Sequence, residues 1–270
     1  MPIADWDAAY ANSAAVPEVG RLSEAWLVRS EAFHAANPRE TLSYGPDPRQ
    51  FVDLYRPEGM AKGLMVFVHG GYWHLRAGRD FSYLGAGALA RGLAVAIVNY
   101  RLAPQVRIAR ITEDVRDALR VAATAVEGPV YLAGHSAGGH LVSRMGCAGM
   151  LEPELAARVA RILSISGLHD LRPLLRVKMN EALRLDAEEA AAESPALLAP
   201  REGLEIICAV GADELPELVR QTDLLANVWT GLGAETLAVH MPGLHHFDVI
   251  DSLAEPQGAL TRMLLDQSLS

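Results

Sequence analysis

An α/β fold with a mostly parallel central sheet and helices on both faces is the class this sequence predicts, and three observations predict it. Short apolar runs alternate with longer stretches of helical periodicity, the rhythm of βαβ units. Several of the runs are apolar throughout, as strands covered on both faces must be. The chain has 270 residues, half of them hydrophobic, enough for one large core with a small insertion.

The expected strands are Phe51 to Tyr55, Leu64 to His69, Ala94 to Tyr100, Val130 to Ala133, Arg161 to Ser166, Leu204 to Val210 and Glu235 to Met241. Between them, Ala- and Leu-rich composition predicts helices over Tyr83 to Arg91, Thr112 to Val126, Ala137 to Met150, Leu215 to Thr230 and Ser252 to Leu265. Val19 to Ala36 and Asp170 to Pro200 fall outside this rhythm. The second, rich in proline at its end, reads as a cap-like insertion over 170–200 within a single domain spanning 1–270. No internal repeat or low-complexity linker divides the chain.

Composition excludes several function classes. With 33 acidic against 24 basic residues the net charge is -9, and no basic run could track a phosphate backbone, so nucleic acid is not an expected partner. The stretch Met1 to Tyr10 carries Asp5 and Asp7 and does not read as a signal peptide. No apolar run approaches the roughly 18 residues of a membrane span. A soluble, cytoplasmic protein is expected, acting on a small-molecule acyl substrate, with a homodimer as the assembly considered. Cys147 and Cys208 lie in apolar segments and read as small buried hydrophobes.

The chemistry is written in the segment Gly134-His135-Ser136-Ala137-Gly138, which follows an apolar strand and precedes a helical run. That context is the nucleophile elbow of the α/β-hydrolase fold, where a serine sits on a turn so tight that flanking side chains would collide. Ser136 is the expected nucleophile. The N–H of Ala137, at a helix start, can face an oxyanion. A second part lies upstream, where Leu64 to Val68 empties into His69-Gly70-Gly71-Tyr72-Trp73. Acyl transfer needs at least two N–H donors at the tetrahedral oxygen. Gly71 and Tyr72 are the expected donors beside Ala137, with Gly70 and the His69 side chain orienting the loop.

In this fold the chain order is nucleophile, acid, histidine. The base therefore belongs to the loop after the last strand, which offers His245 and His246; His135 and His240 read as structural. The acid belongs after the preceding strand, where Gly211-Ala212-Asp213-Glu214 offers two carboxylates. The common Gly-x-x-acid spacing favours Glu214, leaving Asp213 to cap the next helix. His69, His74, His135 and His140 form no ligand cluster of recognisable spacing, so neither a metal nor any other cofactor is implied.

These motifs together resemble a known group. His-Gly-Gly-Tyr-Trp, Gly-His-Ser-Ala-Gly-Gly-His-Leu, the segment Glu214-Leu215-Pro216-Glu217-Leu218-Val219-Arg220-Gln221, and His246-Phe247 look like the kynurenine formamidase (arylformamidase) branch of the α/β-hydrolases, from about Phe51 onward. Asn99 to Pro104 is also similar to the hormone-sensitive-lipase-like esterases. The resemblance implies His246, immediately before phenylalanine, as the base. It also implies Glu214, two positions ahead of the proline, as the acid, although aspartate is usual there. It further implies a Ser-Glu-His hydrolase cleaving small acyl esters or aryl formamides, with Tyr72 and Trp73 as candidates to stack on an aromatic leaving group. Broad esterase activity on short acyl esters is the neighbouring expectation, and a catalytically silent ligand-binding protein the distant one.

Overall fold

The computed structural model describes residues 3–266. Eight strands form one sheet: β1 (Arg39–Ser43), β2 (Phe51–Tyr55), β3 (Leu64–Val68), β4 (Ala94–Val98), β5 (Val130–His135), β6 (Val159–Ile165), β7 (Glu205–Gly211) and β8 (Glu235–Met241), in the order β1-β2-β4-β3-β5-β6-β7-β8. β2 runs antiparallel to β1 and β4, and every pairing from β4 through β8 is parallel. This is the α/β-hydrolase fold that the motifs imply.

The pleat divides the core in two. Along the fully buried β3, Val66 and Val68 point into one apolar cluster while Met65 and Phe67 point into the other, as strand alternation requires. The long helices are α1 (Val19–Ala36), α2 (Ile108–Ala125), α3 (Ala137–Met145), α4 (Pro216–Thr230) and α5 (Ala259–Leu265). Apolar residues of α2, α3 and α4 fill the first cluster; Trp26 and Phe33 of α1 and Leu260 and Leu264 of α5 fill the second. Both faces of the sheet are thereby covered.

Several boundaries differ from expectation for local reasons. β1 reads Arg-Glu-Thr-Leu-Ser, a polar, exposed edge strand that offers no hydrophobic run to detect. The helix expected over Tyr83 to Arg91 is a 3₁₀ segment, Gly78–Gly85, followed by a short α-helix, Ala86–Ala90. α3 stops at Met145, where Gly146 caps it, rather than reaching Met150. The helix expected over Ser252 to Leu265 is interrupted by Pro256 and Gly258, leaving a 3₁₀ turn, Asp251–Ala254, before α5. Residues 170–200 form four short helical pieces whose Leu171, Leu174, Leu183 and Ala190 join the first cluster.

Candidate active site

Ser136 stands between β5 and α3 with φ 56° and ψ -117°, a conformation costing about 1–3 kcal/mol for a residue with a side chain. Its neighbours make the turn feasible. A Cβ on Gly134 would lie 2.2 Å from the Gly138 carbonyl oxygen, and one on Gly138 only 2.0 Å from that of Val68. Both positions therefore require glycine, which is why the pentapeptide can be read from sequence.

Beside the elbow runs the loop after β3. Gly71 has φ +112° and sits 2.4 Å, measured from a notional Cβ, from the Leu75 carbonyl oxygen. That carbonyl-rich turn closes through Leu75 N–H donating to Gly71 O at 2.9 Å. Among the described residues, the N–H groups of Gly71, Tyr72 and Ala137 donate to no protein acceptor. His69 lies beneath the loop, fully buried and stacked on Tyr100 with ring centroids 4.2 Å apart. Burial lowers its pKa to about 3, so it is neutral, and its Nδ1 lies 2.6 Å from the carbonyl oxygen of Gly70. A hydrogen on Nδ1 fixes that carbonyl and with it the path of the loop.

The ends of β7 and β8 supply the remaining groups. His246 Nδ1 lies 2.6 Å from Glu214 Oε2, and the two side chains are 6% and 0% exposed. The other carboxylate oxygen accepts from Ser166 Oγ at 2.5 Å and from the Gly211 N–H at 2.9 Å. Glu214 is thus held on three sides, and the extra methylene relative to aspartate is accommodated by a turn in which its own N–H bonds back to Gly211 O. Asp213 is exposed and takes no part; the expectation that it caps the next helix is corrected, because α4 begins with Pro216 after Leu215 and has no side-chain cap. The neighbouring His245 turns outward to Asp248 at 3.0 Å.

His135, immediately before Ser136, packs its ring 4.6 Å from that of His246, and its Nε2 lies 2.9 Å from the His246 carbonyl oxygen. Burial, reinforced by the adjacent His246, drives its pKa well below the ordinary histidine value. A neutral His135 can donate from Nε2 and hold the His246 backbone without adding a competing charge.

Ser136, His135, His246, Gly70, Gly71 and Tyr72 face one pocket of about 80 Å³. Among the hydrogen bonds of the described residues none joins Ser136 Oγ to His246; the two side chains meet across this pocket, and such bonds often tighten only when substrate is bound. A larger depression of about 550 Å³ between Arg120 and Arg158 contains no comparable nucleophile. The expectation for Trp73 is corrected. Its indole is 0% exposed, packs in the first apolar cluster and donates from Nε1 to His140 Nδ1 at 3.2 Å. Tyr72 does line the pocket, its hydroxyl bonded to Tyr10 O and Asn12 Nδ2. The aromatic walls come instead from Trp26, Phe81 and Phe247, with Trp26 5.0 Å from Phe81 and 5.9 Å from Phe247. Only the spacing of Trp26, Ser30 and Phe33, one buried stripe on α1, signals this contribution in the sequence.

A strained serine at a strand-to-helix turn, a buried histidine–carboxylate pair from the next strand ends and an amide-lined loop together define an α/β-hydrolase. More particularly, the chain belongs to the BD-FAE family, whose pattern matches residues 52–198. It is similar to the kynurenine formamidase of Salmo salar, 26% identical over 235 residues covering 82% of this chain and 79% of that protein. A crystal structure from Silicibacter sp. TM1040, described as a "putative thioesterase", is 40% identical, with a TM-score of 0.92 over 96% of this chain and 98% of that one. An esterase of Pyrobaculum calidifontis shares the fold, with a TM-score of 0.70 at 20% identity, covering 90% of this chain and 89% of that one. The protein is a hydrolase with esterase and formamidase relatives, and no helix among its described residues is long and apolar enough to cross a membrane.

Proposed function

We propose that the protein is a serine hydrolase that transfers a small acyl group from an aryl formamide or short ester to Ser136 and then to water. The observation that carries this reading is the buried Glu214–His246 pair, 2.6 Å apart, opening on the same pocket as the strained Ser136. Ser136 Oγ attacks the carbonyl carbon while His246 Nε2 takes its proton. Glu214 keeps the proton on Nδ1 and stabilises the imidazolium without being protonated itself. The N–H groups of Gly71, Tyr72 and Ala137 receive the oxyanion. Collapse of the tetrahedral intermediate expels the amine or alcohol, which takes the proton from His246. Water then attacks the acyl-enzyme with His246 again as base, releasing the acid and the Ser136 hydroxyl.

At about 80 Å³ the whole pocket is far smaller than most ligand sites, which supports a small substrate. Trp26, Phe81 and Phe247 supply an aromatic wall for the leaving group. The formamidase relatives favour formamides such as N-formylkynurenine; the Silicibacter relative, by its description, favours a thioester as the second reading. Values of kcat/KM for N-formylkynurenine, phenyl acetate and its thioester test the choice, beside mapping of the residue labelled by an aryl phosphonate. The expected result is a phosphonyl adduct on Ser136 and preference for the formamide. A clear preference for either acetate would overturn the formamide assignment, and a label elsewhere would overturn the nucleophile.

A further inference from the structure

One charged side chain in the pocket has no part in that mechanism. Arg76 follows the amide-lined loop, with φ 75° and its carbonyl oxygen held by Arg49 Nη2 at 2.7 Å. A Cβ on Gly71 would lie 3.0 Å from Arg76 Cγ, so the arginine stem packs directly on the loop. The half-buried side chain then reaches across the pocket to α1. Its Nη2 donates to Ser23 Oγ at 2.8 Å, and its Cζ lies 5.7 Å from the Trp26 ring centroid.

Arg76 shares with Arg49 and Arg158 the lack of a carboxylate partner among the described residues, but those two are spent on backbone carbonyls, whereas Arg76 lines the pocket. Arg101 is paired with Asp114 at 2.6 Å, Arg144 with Glu193 at 3.0 Å and Arg161 with Glu205 at 2.8 Å. Among the described residues, no carboxylate lies within 4.0 Å of the Arg76 guanidinium, although the chain carries 33 acidic residues. A guanidinium offers five N–H donors in a fixed fork that matches a carboxylate in two-point contact. Among the described residues the Arg76 side chain engages one side-chain acceptor, Ser23. In a narrow pocket with aromatic walls, such a contact is weakly screened.

The geometry points to Arg76 as the anchor for a carboxylate on the substrate, remote from the carbonyl that Ser136 attacks. The substrate class is then an aryl formamide or ester whose leaving group is anionic. This inference rests on the reading of the pocket as the site of acyl transfer.

The test separates binding from turnover. The Ser136→Ala protein is titrated calorimetrically with 3-formamidobenzoate and with formanilide, its neutral counterpart, with and without the second substitution Arg76→Gln. The carboxylate compound is expected to bind about tenfold tighter or better, the size of one charge-assisted hydrogen bond. That preference should vanish in Arg76→Gln and return in part in Arg76→Lys, an outcome that a merely structural role would not produce. Equal affinities with Arg76 intact, a preference that persists in Arg76→Gln, or no saturable binding of 3-formamidobenzoate at millimolar concentration would each overturn the anchor. Should Arg76→Gln not fold, the comparison with Arg76 intact still decides. A parallel pair, 3-carboxyphenyl acetate and phenyl acetate, is read by kcat/KM. Charge preference on the esters without formamide cleavage retires the formamide reading and keeps the anchor; cleavage of both classes without charge preference does the reverse.

Discussion

The floor and the roof of the pocket are built by different physics. The floor is the set of carboxyl ends of β3, β5, β7 and β8, where Ser136, Gly70, Glu214 and His246 are fixed by backbone geometry and buried hydrogen bonds. The roof is the amino-terminal segment, which contributes Ser13 and Trp26 and is tied down by side chains: Tyr72 Oη to Tyr10 O, Arg76 to Ser23, and Arg29 to Asp251. A rigid parallel sheet suits groups whose placement must be held to tenths of an ångström, whereas side-chain ties suit a surface that selects what enters. Chemistry should therefore be lost by changing the floor, and selection by changing the roof.

The largest expected effect is on the floor. Ser136→Ala should lower kcat by about 10⁶, the scale set by nucleophile removal in a comparable triad; retained turnover in a steady-state assay would show that the floor does not carry the chemistry. Glu214→Gln should cost about 10⁴ in kcat, since the amide can neither fix the proton on His246 Nδ1 nor stabilise the imidazolium. Asp213→Asn, one residue away and exposed, should change kcat less than about threefold, as surface substitutions do. The reverse order would move the acid to Asp213.

The same division explains which parts of the molecule are legible in its sequence. The floor is legible because its geometry demands particular residue types. Gly134 and Gly138 have no room for a Cβ, and His-Gly-Gly marks a loop that must approach Ser136 closely. Spacing favours Glu214 and the resemblance implies His246, and three dimensions add the physical reason for each choice. Asp213 is exposed and Glu214 buried, and His245 and His246 point to opposite sides of one loop. The roof is nearly silent, since α1 buries only Trp26, Ser30 and Phe33 while Leu27 and Val28 face solvent, so its apolar residues mark no single face. β1 is silent because it is a polar edge. Trp73 misled because adjacency to a motif says nothing of side-chain direction, and its indole packs in the first apolar cluster.

Trp26→Ala should sharpen the contrast. Removing this indole from between Phe81 and Phe247 costs about 3–5 kcal/mol of stability and opens the pocket. The kcat/KM for aryl substrates should fall about 10- to 100-fold relative to methyl esters, from lost aromatic contact. An equal fall for both classes would make Trp26 part of the floor.

Acid acts on the core beneath the floor through three buried histidines, among them His169, whose ring lies between Ser164 Oγ at 3.0 Å and the Gln221 carbonyl oxygen at 2.9 Å. His69, His140 and His169 are each lowered to about 3 by burial, against an unfolded value near 6.5. Above pH 6.5 both states leave these rings neutral and stability does not depend on them. Between 6.5 and 3 the unfolded chain binds protons that the folded chain refuses, so stability falls as pH falls, by up to about 1.4 kcal/mol per pH unit for each histidine. Urea unfolding at pH 7 and pH 5 checks this; equal or greater stability at pH 5 contradicts the neutral assignments.

The smallest effect should come from the roof's charged tie. Arg29 Nη1 lies 2.7 Å from Asp251 Oδ1, with side chains 40% and 41% exposed, and the same oxygen accepts from Tyr83 Oη at 2.8 Å. Asp251→Asn keeps an oxygen for Tyr83 and removes the charge, so what is lost is an exposed ion pair worth below about 1 kcal/mol. The difference from the unsubstituted protein should shrink further in 1 M salt, where screening acts over about 3 Å. Neither kcat nor the acyl-enzyme chemistry should change, because no floor group touches this pair. A cost above about 2 kcal/mol, or a tenfold fall in kcat, would mean that this tie holds the catalytic geometry itself, and the distinction between a rigid floor and a selecting roof would fail at that point.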